Sequence, residues 1–104
     1  MKRLPVKVVP SVWEQIERQT LYIAEDSIDN ALAWERRLRT AMEGLADFHG
    51  HAIDQDASTR LGYPVHKVVF ERTYLIHYRV DDTAGEVRVI NFRHGARLPR
   101  EGEP

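Results

Sequence analysis

His94 and Arg97 stand three residues apart around Gly95, and an imidazole beside a guanidinium can serve RNA as a general base and a phosphate clamp. The spacing is compatible with a tight turn through Gly95. His94 also shares strand parity with Ile90 and Phe92, and a hydrogen-bonded histidine at a strand end accounts for it more simply. His49 and His51 flank Gly50; two histidines two apart in a loop lack the helical or Cys/His context of a metal site, so none is expected. Arg72, Arg79 and Arg97 are the candidates for contact with a partner, against ordinary surface arginines. Trp13 and Trp34 sit at helical spacing and read as packing residues.

These side chains need elements to hold them. Residues 4–9 are short and β-rich, and Pro5 restricts them to a strand start or a sheet edge. Ser11-Val12-Trp13-Glu14 has the form of a capping box, which predicts a helix from Ser11 to about Glu25 with Val12, Ile16, Thr20 and Ile23 on one face. Ser27 is the expected cap of a second helix, whose stripe runs through Ala31, Trp34, Leu38, Ala41, Met42 and Leu45. Residues 48–62 lose periodicity and read as a loop long enough to move. Residues 65–70, 73–80 and 87–92 are rich in Val, Ile, Tyr and Phe and are joined by short turns, the signature of an antiparallel meander. In its middle strand Tyr74, Ile76, Tyr78 and Val80 predict a core face, and Leu75, His77 and Arg79 a surface face. The fold class expected is α+β: an N-terminal strand, a two-helix hairpin and a three-stranded antiparallel meander, in an antiparallel sheet of about four strands with the helices on one face.

A chain of 104 residues with 42% hydrophobic content supports one modest core, so residues 1–104 are expected to form a single domain with its core at about 4–98. With no cysteine there is no disulfide framework or thiolate metal site. The positively charged N-terminus has no apolar stretch behind it, and no segment approaches the ~20 apolar residues of a membrane span; a cytoplasmic, unexported chain is expected. The net charge of −1 conceals an asymmetry. Residues 1–59 hold seven Lys/Arg against ten Asp/Glu, and residues 60–100 hold eight against four. The basic half suits an acidic partner, nucleic acid or peptide, or is a solvated sheet face.

The order strand, helix, helix, three strands, together with Tyr22-Ile23-Ala24-Glu25-Asp26-Ser27, Ala31 and Trp34, Leu61-Gly62-Tyr63-Pro64-Val65, Tyr74-Leu75-Ile76-His77-Tyr78-Arg79-Val80 and Arg93-His94-Gly95-Ala96-Arg97, resembles the ParE/RelE toxin superfamily over roughly residues 6–100. The resemblance implies a toxin held inactive by a co-expressed antitoxin. RelE-like members cut messenger RNA in the ribosome, which needs cations for the phosphate and a group for the 2′-hydroxyl proton. The middle-strand arginine of that branch falls on Leu75 here, and its C-terminal tyrosine has no counterpart, Tyr78 being the last tyrosine. The ParE-like branch is the better match and implies a protein-binding poison of DNA gyrase, with no catalytic residue to carry over, no cofactor and no sequence-specific DNA binding by the toxin alone. The alternatives are a ribosome-dependent endoribonuclease built on His94 and Arg97, and a degenerate toxin that only binds antitoxin. His66 stands where many relatives have arginine, which makes a basic contact there pH-sensitive or absent. The antitoxin is expected to lay an extended or helical segment between the helical hairpin and the sheet, its acids pairing with the basic half.

Overall fold

The computed structural model describes residues 1–95, which form strand β1 (Val6–Val8), helices α1 (Pro10–Ala24) and α2 (Ile28–Glu43), a 3₁₀ turn (Gly44–Ala46), helix α3 (Gln55–Leu61) and strands β2 (His66–Phe70), β3 (Tyr74–Asp81) and β4 (Glu86–His94). The sheet order is β1-β4-β3-β2. The α+β class and the element order follow the expectation, with several departures in detail.

Helix α1 starts at Pro10 and not at a Ser11 cap. Proline pre-sets the helical φ and its missing N–H is one that the first turn leaves unpaired anyway, so it occupies the first helical position behind an extended Val9. Ser11 is thereby inside the helix, and no side chain caps it. Ser27 does cap α2, its Oγ accepting from the Asn30 amide at 3.1 Å.

Strand β1 pairs parallel to β4, so the sheet is mixed and not antiparallel throughout. The chain leaves β1 through the two helices, starts the meander at the far edge and returns beside β1 running the same way; a parallel pair needs such a long crossover.

Residues 48–62 are not an unstructured loop. Asp54 accepts from the Ala57 amide at 3.0 Å and caps α3, and Gly62 closes the helix in the left-handed region at φ 84°. The Ser58 hydroxyl donates to the Asp54 carbonyl at 2.7 Å and accepts from the Val65 amide at 2.8 Å, fastening α3 to the start of β2.

The second face of β3 is not an open surface. Leu75 and His77 are 3% and 4% exposed; over His77 the segment ahead of β2 folds back on the sheet and brings Asp54 onto the ring.

Helices α1 and α2 cover the other face. Val12, Ile16, Trp34, Leu38, Met42 and Leu45 pack there on Phe70, Tyr74, Ile76, Tyr78, Val87, Val89 and Phe92. Trp34 is buried, its ring 5.2 Å from that of Tyr74 and 5.9 Å from that of Phe92. Ala41, expected on the same stripe, is exposed. In the β3–β4 ladder His77 opposes Asn91 and Tyr78 opposes Val89, leaving Ile90 unpaired in a bulge. The extra residue breaks strict alternation, so Val89 and Phe92 both reach the core.

Candidate functional site

The bulge sets what β4 presents toward α3 and the segment that follows it. Ile90, Asn91 and Arg93 line a cleft there of about 580 Å³ with His77, Gln15 from α1, Ala57, Arg60 and Leu61 from α3, and Tyr63 and Val65 from the segment between α3 and β2. His77 forms its floor. Asn91 Nδ2 lies 3.1 Å from His77 Nδ1, and His77 Nε2 lies 2.8 Å from Asp54 Oδ2. With the Asn91 amide donating to Nδ1, the imidazole carries its proton on Nε2 and gives it to Asp54. Asp54 also accepts from Ala57, and these two bonds hold its carboxyl below the usual range, the Ala57 amide contributing most. Both ring nitrogens of His77 are engaged, which makes it a structural clasp between α3 and the sheet, with no nitrogen free for a substrate proton.

Cations surround that floor. Arg60 and Arg93 are exposed on the cleft, and the Arg79 guanidinium lies 4.1 Å from the centroid of the Tyr63 ring. Among the described residues no carboxylate lines the cleft. Among the described residues no Asp or Glu forms a salt bridge with Arg60, Arg79 or Arg93, whereas Arg3, Arg37, Arg39 and Arg88 each have one within 4 Å.

A second, apolar groove of about 310 Å³ opens where the C-terminal end of α2 faces β2, lined by Ala41, Leu45, Phe48, Val68, Val69 and Ile76 among others. His51 closes one end: its backbone amide donates to the Tyr78 hydroxyl at 3.0 Å, and its Nδ1 lies 2.7 Å from the same oxygen. The His66 ring stacks on Tyr78 at 4.8 Å, with its Nδ1 2.7 Å from the His51 carbonyl. Strand β2 is the sheet edge here. The Lys67 amide donates to the Ala52 carbonyl and Ile53 bridges His66, so the beginning of the edge is covered. By the alternation of the ladder the Val69 amide and carbonyl point the same way as those of Lys67, and Val69 is 60% exposed.

The residues singled out from sequence are dispersed. His94 packs edge-on against the Tyr74 ring at 5.3 Å, opposite Tyr74 in the ladder, which places it away from the arginine cleft. Arg72 is exposed at the tip of the β2–β3 turn. Arg79 is half-buried under Tyr63 and does not stand free at the meander rim. Arg97 lies outside the described residues. His49 and His51 hold separate partners, His49 Nδ1 lying 2.9 Å from the Leu45 carbonyl. Sequence reasoning missed Asp54, Arg60, Tyr63, His77, Asn91 and Arg93 as one group. The signals available were Asp54 and Gly62 at the two ends of α3; the bulge at Ile90 left none.

Residues 6–99 match the family described as ParE toxin of type II toxin-antitoxin system, parDE. The chain belongs to the ParE toxin family. A comparison with curated proteins returns no match. Membership of the ParE family makes the chain the toxin partner of an antitoxin in a type II module. No helix among the described residues is long and apolar enough to cross a membrane.

Proposed function

We propose that this ParE-family toxin acts by binding DNA gyrase and not by cutting message. The observation that carries this reading is the middle strand: the position where the ribonuclease branch has an arginine is occupied by Leu75, which is buried and cannot be exchanged for a cation by a rotamer change. The nearest histidine to the arginine cleft, His77, has both nitrogens committed, and His94 faces Tyr74. Among the described residues no histidine is therefore placed to manage a 2′-hydroxyl proton over these cations. Binding without turnover is what such a surface supports. The test is purified protein in a gyrase supercoiling assay beside ribosome-bound message; inhibition of supercoiling with intact message is expected.

The antitoxin is the cytoplasmic partner that keeps the toxin inactive. The groove between α2 and β2 suits it: an extended segment added at Val69 would satisfy the outward amide and carbonyl, and its apolar side chains would cover Phe48, Val68 and Ile76. Lys67 and Arg72, both exposed, lie at the two ends of that open edge and favour a segment carrying acids.

A further inference from the structure

The cleft on the other side of the sheet has a composition the toxin–antitoxin reading does not use. Among the described residues its lining includes Arg60 and Arg93 and no carboxylate, and it includes Tyr63, on whose ring the Arg79 guanidinium is stacked. The Nε of Arg79 is buried without a hydrogen-bond partner. Arg60 and Arg93 face one concavity, neither with a salt-bridge partner among the described residues, and an anion between them relieves their mutual repulsion. By contrast, Arg37 is paired with Glu71 at 2.6 Å and Arg3 with Asp47 at 2.5 Å.

Two kinds of polyanion are available, an acidic peptide and a nucleic-acid strand. A peptide gains most by pairing its backbone with a sheet edge, but this cleft opens on the face of β3 and β4, where side chains and not main-chain amides are presented. A nucleic-acid strand needs what is present: forked cations for phosphates and an aromatic ring against which a base can stack. The volume of about 580 Å³ is that of a single small-molecule pocket, enough for one nucleotide unit and not for a duplex inserted whole. We propose that the cleft is a phosphodiester-binding site, with Arg60 and Arg93 on consecutive phosphates and the Tyr63–Arg79 stack as the platform for the base between them. Because His77 is locked between Asp54 and Asn91, the strand is held and not cleaved. The proposal does not depend on which enzyme the toxin inhibits.

The test is fluorescence anisotropy of end-labelled oligonucleotides of one sequence, as duplex DNA, single-stranded DNA and RNA, titrated with the full chain at several salt concentrations. Arg60→Glu/Arg93→Glu should weaken binding by on the order of tenfold or more and reduce the slope of log K against log salt by about two. Arg18→Glu/Arg36→Glu, which changes net charge equally on exposed positions of α1 and α2, should change it less than about twofold. Tyr63→Phe should retain affinity that Tyr63→Ala loses. Whichever oligonucleotide binds tightest identifies the source of the strand. Equal weakening by the two double variants, or a polyglutamate peptide that competes as well as the oligonucleotides at equal charge, would overturn the proposal.

Discussion

Four of the five histidines hold the chain between α2 and β3 in place, and each does so through a named atom: His49 on the Leu45 carbonyl, His51 on the Tyr78 hydroxyl, His66 on the His51 carbonyl and His77 on Asp54. Burial is the main influence lowering the pKa of His51, and the charge of neighbouring His66 adds to it. A histidine depressed in the folded state contributes stability that is complete above its unfolded pKa of ~6.5 and is lost as pH falls from there through the folded value. Thermal melts between pH 7.5 and 5.5 should therefore show a falling transition temperature, and His51→Gln should lower the melting point overall but flatten that slope. A slope unchanged in His51→Gln would show that another group carries the pH dependence. At this scale the sequence was least informative: His77 was expected on a solvated face, and its burial became visible only once Asp54 was known to fold over it.

At the scale of elements, the β2–β3 turn closes with the Thr73 amide donating to the Phe70 carbonyl, and its two central residues, Glu71 and Arg72, lie at φ 50° and 62°. Both are in the left-handed region, which glycine or asparagine occupies with least strain. Glu71 is tied to Arg37, whereas no described acid pairs with Arg72. Arg72→Gly should accordingly stabilise the fold by about 1 kcal/mol, a rise of about 4–8 °C in melting temperature; a fall would mean that the arginine makes a compensating contact. Trp34→Ala should cost roughly 3–5 kcal/mol, since it removes the ring that Phe70, Tyr74 and Phe92 pack around. For a domain whose whole stability is ~5–15 kcal/mol that is enough to abolish folding or antitoxin binding together. A soluble variant with an unchanged melting temperature would place Trp34 outside the core.

The two helices of the hairpin and the three meander strands were legible because their apolar periodicities, 3.6 and 2, run for whole elements. Helix α3 was not, because only Ala57 of its seven residues is buried and so no stripe exists to be seen. The parallel pairing of β1 is set by where the meander ends, and three residues of strand carry no mark of direction. The bulge at Ile90 reversed the face expected from parity and brought Asn91 onto His77.

The whole molecule divides its apolar and basic surfaces. The groove along β2 is apolar and borders an open edge, and the cleft over β3 and β4 is lined by arginines. An antitoxin segment that pairs at Val69 should be steered by Lys67 and Arg72, so its association should slow as salt rises while dissociation changes little. Stopped-flow binding with Lys67→Glu/Arg72→Glu should show the loss mainly in the on-rate; salt-independent association, or unchanged binding by the variant, would move the antitoxin to another face. The exchange of the ribonuclease branch's arginine for buried Leu75 bears on the central claim, binding of gyrase without cleavage of RNA. Its most direct test is induction of the chain from a tight promoter, reading DNA-damage signalling beside decay of translated message, followed by the supercoiling assay with purified protein. The account predicts damage signalling, inhibited supercoiling and intact message; codon-specific cleavage of ribosome-bound message with gyrase unaffected would contradict it.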